Sequence, residues 1–304
     1  GTSWPIDREM TARLLGFSRV WEVPQDAIGS RGLPQLAYLD LCKRLALAIS
    51  KIAADLLLFT TWEFGYAHLG EAVSQRQHPI TGSSVMAQKR NPDALELLRA
   101  TGPEVIGLAG TAANLLTGLP MGYNRDTREI KEWSALGFSK TLSALGILRT
   151  TLLTLRVDKD RMLEAVRANY SSTTDLADMV AQRSGVGYRR IYPIIGGLVD
   201  TMMEESRPLH TLRAGEIIEA AARAGIELSI TDNQVAEALD PQLAVALRAH
   251  IGGAAPVEMV SMLASRADTL AQHRDWIGEQ RSHLHKAKAG TLSQVSALSQ
   301  GSIV

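Results

Sequence analysis

Apolar residues recur at three- and four-residue steps along two long stretches of this 304-residue chain. Such steps place side chains on one face of an α-helix, and stripes sustained over several turns are typical of helical bundles. The pattern predicts a third long helix between them, from Pro92 to about Leu116. The first stripe, between Gln35 and Trp62, comprises Tyr38, Leu41, Leu45, Ala48, Ile52, Leu56 and Phe59. The second comprises Phe138, Leu142, Leu145, Leu148, Leu152 and Leu155.

The stretches before the first stripe contain residues that end helices. Residues 4–17 predict a short helix that begins near Ser3 or Asp7 and ends at Gly16. The run 23–33 contains a proline and two glycines, and it predicts a connecting loop. Alternating apolar and polar positions, the pattern of half-buried strands, are absent from the sequence. We therefore expect an all-α fold.

A change in composition after the second stripe indicates where a second domain begins. The apolar pattern gives way to the polar run DKDRMLEAV. We expect a central helical-bundle domain over residues 1–156 and a small helical C-terminal domain over residues 157–265. Within the second domain, residues 172–192 predict a capped helix, a glycine turn and the start of an antiparallel helix. Residues 266–304 predict a C-terminal extension, with an amphipathic helix and a flexible end.

Charge and composition narrow the classes of function. Lys plus Arg and Asp plus Glu number 32 each, so no net field favours nucleic acid or a membrane surface. The most apolar run is interrupted by Lys51 and Asp55 and predicts no membrane span. The only cysteine, Cys42, excludes an intrachain disulfide and a cysteine metal site, and the seven histidines lack the spacing of metal ligands. We expect a cytoplasmic protein without a metal site.

The candidate chemistry concentrates in TGSSVMAQKRNPDALE, from Thr81 to Glu96. Its first four residues are small, polar and hinged at Gly82, as in a loop that changes conformation around a ligand. An apolar helical pattern then begins, which predicts Asn91 as the N-cap and Pro92 as the first helical residue. A helix N-terminus carries partial positive charge and free N–H groups, so a loop that folds over it encloses an anion site. Taken singly, these residues also fit a turn, a solvated charge and a cap.

A second polar cluster follows the break at Gly118-Leu119-Pro120, in the run MGYNRDTREIKE. Tyr123, Arg125, Arg128 and Lys131 provide many hydrogen-bond donors within nine residues. Substrate contact explains this cluster, and so does the solvated start of a helix.

The run GSSVMAQKRNP resembles the signature of the fumarase/aspartase superfamily, and its flanking stretches resemble the argininosuccinate lyase branch. The resemblance implies a bundle assembled as a tetramer, and a C–N elimination that releases fumarate from an N-substituted aspartate. This reaction needs a base for a weakly acidic proton beside a carboxylate, and stabilisation of the charge that develops. The flanking stretches are PIDREMTARLLGF, GLPMGYNRDTREIKE, STTDLADMVAQRSGVGYRRIY and GGAAPVEMV.

The resemblance also implies a role for each residue of the motif. Ser83 is implied as the base, and Lys89 and Asn91 as the groups that hold the charged carboxylate. Glu96 occupies the position of a carboxylate that steadies a catalytic histidine from another subunit. No cofactor is implied, because lysine and helix-terminus charge can act where a metal otherwise does. Contact with the small dicarboxylate substrate is implied for Ser84, Asn91, Tyr123, Arg128 and Lys131.

Two positions depart from the family pattern. Relatives usually carry glutamine at the position of Arg128, where it contacts the amino-acid end of the arginine moiety. Because an arginine prefers a carboxylate and repels a guanidinium, we expect a leaving amine other than arginine. Alanine replaces the usual proline at Ala87, which loosens the loop.

The family's catalytic histidine lies in an N-terminal region that has no counterpart in these residues. We interpret the chain as a natural half-enzyme, a processed fragment or a shortened chain, and we expect a complementing N-terminal chain. The leading hypothesis is an argininosuccinate lyase-like C–N lyase. The alternatives are argininosuccinate lyase itself and a noncatalytic structural or regulatory relative, because the family includes lens crystallins.

Overall fold

The computed structural model describes residues 2–74, 86 and 89–300. This part of the chain forms twelve α-helices and two strands of two residues each, so the all-α prediction is confirmed. Its contacts define two compact units, one of residues 2–158 with 277–300 and one of residues 159–276. The domain boundaries expected from composition remain a prediction. Among the described residues, no helix is both long and apolar enough to cross a bilayer.

Three long helices form the core of the first unit. Two short helices, α1 (Arg8–Leu14) and α2 (Pro24–Gly29), precede them. The long helices are α3 (Leu33–Phe59), α4 (Asp93–Leu116) and α5 (Ile130–Thr154). Strand β1 (Ala67–His68) follows α3 and pairs antiparallel with β2 (Arg156–Val157), which follows α5.

The buried clusters of the first unit show the direction of each long helix. Leu39, near the start of α3, packs with Ala112 near the end of α4 and with Ile130 at the start of α5. At the other end of the unit, the first turns of α4 contribute Leu95 to a cluster that also contains Leu148 of α5. Helix α4 therefore runs antiparallel to α3 and α5.

The buried seams of α3 and α5 differ from the stripes predicted from sequence. Small residues face inward: a Cβ atom at Gly137 would lie 2.6 Å from Cδ2 of Leu39. Because the helices approach each other closely through these small residues, most of the large residues of the predicted stripes lie outside the helix–helix contact. They form an exposed apolar face of a kind that monomers rarely have. Helix α3 buries Leu39, Cys42, Ala46, Ile49, Ala53 and Leu56. Exposed members of the predicted stripes are Tyr38, Leu41, Leu45, Ile52, Phe59, Phe138, Leu142, Leu145 and Leu152.

The helix starts in the first unit test three local predictions. Of the two predicted starts, Ser3 and Asp7, Asp7 caps α1, since its Oδ1 accepts a hydrogen bond of 2.8 Å from the N–H of Met10; the helix is shorter than the predicted range 4–17. The loop predicted over residues 23–33 was wrong in part, because Pro24 occupies the first turn of α2, where its fixed φ favours a helix. The cap of α4 is Pro92 rather than Asn91, so the helix begins one residue later than predicted.

The second unit is a compact set of short helices. The predicted helical pair is confirmed: α7 ends at a left-handed Gly185 (φ +66°) and α8 follows three residues later. Ser172 occupies the N-cap position of α7 but makes no side-chain capping bond. The helices are α6 (Lys159–Ala168), α7 (Thr173–Ser184), α8 (Tyr188–Glu204), α9 (Ala214–Arg223), α10 (Asp232–Ala238) and α11 (Pro241–Ala246).

The last helix, α12 (Pro256–Ser299), begins in the second unit and ends in the first. The region expected to be flexible therefore continues as helix to Ser299. In the first unit, the Thr291 hydroxyl donates a hydrogen bond of 2.6 Å to the carbonyl oxygen of Leu14. This contact joins the end of α12 to α1.

Candidate active site

The predicted site residues that the structure describes fall into two groups. Ser83 and Ser84 lie outside the described residues. Lys89, Asn91 and Glu96 lie together around the first turn of α4. The predicted substrate contacts Tyr123, Arg128 and Lys131 lie between the end of α4 and the start of α5.

Hydrogen bonds fix the backbone that leads into α4. The carbonyl oxygen of Asn91 accepts a bond of 3.0 Å from the buried Ser74 hydroxyl. The N–H of Lys89 donates a hydrogen bond of 3.1 Å to the carbonyl oxygen of Met86. Its exposed ammonium has no carboxylate partner among the described residues, whereas the neighbouring Arg90 reaches Glu71 at 3.4 Å. Lys89 is thus a cation available to a ligand at the positive end of a helix.

Asp93 at the start of α4 has an unpaired oxygen. Its Oδ2 atom is buried and has no hydrogen-bond partner among the described residues. A buried acceptor without a hydrogen bond lowers the stability of the fold by about 1–3 kcal/mol. A hydrogen-bond donor from a ligand or another chain would therefore stabilise this carboxylate. Sequence reasoning gave Asp93 no role, although its position directly after Asn91-Pro92 already placed it at the start of the predicted helix, next to the motif.

The second group surrounds a short 3-10 turn, Arg125–Arg128. The Asn124 amide donates a bond of 2.7 Å to the carbonyl oxygen of Pro120, and the Thr127 hydroxyl donates one of 2.9 Å to the carbonyl oxygen of Asn124. These bonds hold the turn, while the side chain of Tyr123 stays 66% exposed. The turn therefore presents Tyr123 and Arg128 to solvent.

Arg31 contacts this group from the start of α3. Its guanidinium carbon lies 4.5 Å from the centroid of the Tyr123 ring, which is a cation–π geometry. Nearby in sequence, Gln35 carries a buried Oε1 atom without a hydrogen-bond partner. Sequence reasoning assigned neither residue to the site, because both are far from Tyr123 along the chain.

The two groups lie at opposite ends of the bundle. Helix α4 has 24 residues, and Lys89 precedes it while Tyr123 follows it. At 1.5 Å per residue, the helix separates its ends by about 36 Å. One subunit therefore brings together Lys89, Asn91 and Glu96, but it does not bring them to Tyr123, Arg128 and Lys131.

The arrangement at α4 can bind an anion. It combines the free ammonium of Lys89, the amide of Asn91 and the N-terminal N–H groups of a long helix, all of which favour a carboxylate. No group of His, Cys, Asp and Glu side chains in the described part of the chain could hold a metal ion.

Two family models match parts of this chain. The family description "Lyase" matches residues 3–107, and "Argininosuccinate lyase C-terminal" matches residues 170–246. The argininosuccinate lyase of Methanothrix thermoacetophila is 32% identical over 94% of this chain and 57% of its own length. The chain belongs to the argininosuccinate lyase branch of the fumarase/aspartase superfamily. The argininosuccinate lyase of Deinococcus deserti is 35% identical over 89% of this chain and 55% of its own length.

Solved structures of the superfamily share the fold. EDDS lyase in complex with formate is 25% identical, with a TM-score of 0.79 over 99% of this chain and 59% of that chain. A class II fumarase from Schistosoma mansoni is 15% identical, with a TM-score of 0.57 over 75% of this chain and 42% of its own, and it supports the fold alone. The chain thus spans just over half the length of the argininosuccinate lyases it matches.

Proposed function

We propose that this chain contributes to a C–N lyase that eliminates fumarate from an N-substituted aspartate. The observation that carries the proposal is Lys89 beside Asn91 at the start of α4, without a carboxylate partner among the described residues, in a chain similar to argininosuccinate lyases. A variant of EDDS lyase, which shares this fold, has been solved with bound fumarate. A dicarboxylate with a nitrogen substituent is the substrate class that fits both facts.

In the proposed reaction, Ser83 removes a proton from the carbon beside one carboxylate of the substrate. The electron pair spreads into that carboxylate, which Lys89, Asn91 and the helix N-terminus stabilise. The pair then forms the double bond of fumarate as the C–N bond breaks. The leaving amine takes a proton from a histidine, and Glu96 steadies that histidine. A serine acts as a base only when its alkoxide is stabilised, so the loop must close over the cation of Lys89.

The second half of each site comes from another subunit in this proposal. Tyr123, Arg128 and Lys131 lie about one helix length from Lys89 in the same chain, so they serve the Lys89 of a neighbour. The exposed apolar faces of α3 and α5 support such an assembly, because burial of these faces between subunits would remove large apolar side chains from water. We infer a tetramer-like bundle, and a complementing N-terminal chain that supplies the histidine. A cytoplasmic location remains a prediction.

Arg128 distinguishes the proposed reaction from that of argininosuccinate lyase. Its exposed guanidinium, at the end of the 3-10 turn, is suited to a leaving amine that bears a carboxylate or lacks positive charge. Argininosuccinate lyase itself is the second candidate, and it is favoured by the similarity over most of this chain. A noncatalytic relative is the third candidate, but it gives no function to Lys89, which has no carboxylate partner among the described residues.

The test is fumarate formation by the chain with the polypeptide that co-purifies with it. A panel of N-substituted aspartates, including argininosuccinate, is followed by absorbance. We expect fumarate from at least one member, and we expect Ser83→Ala to abolish it while assembly persists. The matched control Ser229→Ala changes an exposed serine of the second unit and should keep full activity. Full activity of the purified chain without any partner would contradict the assignment of the histidine, and no fumarate from any substrate would favour the noncatalytic reading.

A further inference from the structure

The second unit contains a cavity that none of the predicted site residues lines. Its volume is about 230 Å³, and its walls come from the end of α6, the 3-10 turn Leu209–Thr211 and the starts of α9, α10 and α11. The charged or titratable side chains of its lining are Arg167, His210, Arg213, Asp232 and Asp240. Charges of both signs thus converge on one small space.

Backbone hydrogen bonds hold both carboxylates of the cavity in place. Asp232 Oδ1 accepts a bond of 2.8 Å from the N–H of Ala214. Asp240 Oδ1 accepts one of 2.9 Å from the N–H of Gln242, and so caps α11. No described group bonds the second oxygen of either carboxylate. Each aspartate therefore keeps one oxygen for a cationic ligand group.

The two arginines of the cavity form no direct ion pair in the described part of the chain, although the charge of Arg213 helps to lower the pKa of Glu216. Neither Arg167 nor Arg213 forms an ion pair there, although both lie in a cavity with two aspartates. Other arginines of the same unit are paired: Arg207 lies 2.6 Å from Glu216 and Arg248 lies 2.8 Å from Asp175. The guanidinium groups at the cavity thus have their donors available for a ligand carboxylate.

The size of the cavity limits the ligand. A water molecule occupies about 30 Å³ of liquid volume, so 230 Å³ holds roughly eight non-hydrogen atoms. Drug-sized ligands need pockets of about 300–1,000 Å³. The remaining lining is apolar, and it includes the buried Leu212 as well as Ala236, Leu239 and Pro241. These limits fit a small molecule with a short aliphatic part.

We propose that this cavity binds a small aliphatic α-amino acid as a zwitterion. Arg167 and Arg213 hold its carboxylate, and the free oxygens of Asp232 and Asp240 hold its ammonium group. Two arginines and two aspartates cancel in formal charge when His210 is neutral, so the cavity favours a neutral zwitterion over a net anion or cation. The apolar lining holds the side chain. The site is independent of the proposed lyase reaction, because it shares no residue with it.

Isothermal titration calorimetry of the whole chain with L-alanine, L-valine and L-leucine tests the proposal. Isovalerate and isobutylamine are the matched controls, since each lacks one charged group of valine. We expect saturable binding of at least one amino acid, and at least roughly tenfold weaker binding of both controls, because each loses its charge-assisted hydrogen bonds. Equal affinity for isovalerate would indicate a simple anion site and would overturn the proposal, as would no saturable binding of any amino acid.

Variants that remove one charge from the lining test whether the amino acid binds in this cavity. Asp240→Asn removes the charge while asparagine can still cap α11, and Arg213→Gln leaves the backbone N–H of residue 213 in place. Each should weaken binding at least roughly tenfold. Arg223→Gln, at an exposed arginine of α9 outside the cavity, should leave the affinity unchanged. Circular dichroism checks that each variant is folded. Unchanged affinity in folded Asp240→Asn and Arg213→Gln would refute the site.

Discussion

Lys89 and Lys131 lie at opposite ends of the bundle formed by α3, α4 and α5. Lys89 precedes the first turn of α4, where Leu95 packs with Leu148 of α5. Lys131 belongs to the first turn of α5, where Ile130 packs at the far end of α4. The two groups of predicted site residues therefore cannot meet within one chain, as the proposed function requires. In an assembly with closed symmetry, the start of α4 in one subunit can meet the start of α5 in another.

Close packing at Gly137 predicts a loss of stability on substitution. Gly137→Ala places a Cβ atom 2.6 Å from Cδ2 of the fully buried Leu39, so either the Leu39 side chain must leave its rotamer or α3 and α5 must move apart. We expect a cost of about 1–3 kcal/mol in the free energy of unfolding, measured by denaturant titration. The matched control is Gly197→Ala in α8, where a Cβ atom has nothing within 4 Å. That change should stabilise the chain by about 0.5–1 kcal/mol, and equal effects of the two variants would contradict the packing described.

The ion pair between Arg207 and Glu216 predicts a pH-dependent stability. Burial acts to raise the pKa of Glu216, but hydrogen bonds from Arg207 and the backbone N–H of Arg213 outweigh it, and the pKa lies below its usual value. A carboxylate with a lowered pKa stabilises the fold at pH values above its unfolded pKa of about 4.3, and this stability is lost as the pH falls through the folded pKa.

Glu216→Gln is therefore expected to lower the melting temperature at pH 7, and the difference from the wild type should shrink at pH values below about 4. Thermal unfolding at several pH values measures it. A matched Glu219→Gln variant changes a carboxylate of α9 with a looser partner, Arg223 at 3.7 Å, and should show a smaller effect at pH 7. A difference that grows as the pH falls would contradict the direction given for the pKa of Glu216.

The contact between Arg31 and Tyr123 predicts a role for Arg31 in positioning. Arg31→Gln removes the cation 4.5 Å from the Tyr123 ring and leaves the exposed ring less restrained. An exposed cation–π contact contributes about 0.5–1 kcal/mol, so we expect a two- to fivefold rise in KM with little change in kcat. The initial rate of fumarate formation, measured over a range of substrate concentrations, gives both KM and kcat. Arg223→Gln removes an exposed arginine of α9, outside the candidate site, and should leave KM unchanged; a similar rise in both variants would show a general charge effect instead.

The long helices were predictable because each is long enough for a clear period. The sequence located α3 and α4 to within a few residues, whereas α5 begins at Ile130, eight residues before the first member of its predicted stripe, Phe138. Helix α2 was missed because its six residues carry no periodic signal, and Pro24 was interpreted only as a breaker. The buried seams were misplaced because the prediction counted large apolar residues, whereas the helices pack through small ones such as Ala46, Ala53 and Gly137.

The residues of the candidate site were predicted from the motif, but their spatial relationship was not. The predicted helix between Lys89 and Tyr123 already implied that the two are far apart in one chain, since its length fixes the distance between its ends. The contact of Arg31 with Tyr123 joins residues 92 positions apart, and no local pattern indicates it. The unpaired oxygen of Asp93 depends on burial, which the sequence alone does not give. The roles of Ser83 and Ser84 remain predictions, because both lie outside the described residues.

The central claim is that each active site takes Lys89 from one subunit and Lys131 from another, and mixed assembly tests it most directly. Lys89→Met and Lys131→Met chains, each with the co-purifying partner, should release no fumarate when assembled alone. Co-assembled in equal amounts, they should recover about a quarter of the wild-type activity, because random assembly of a symmetric oligomer gives that fraction of sites both lysines. Mass spectrometry confirms that mixed oligomers have formed. No recovered activity in those mixed oligomers would contradict the account.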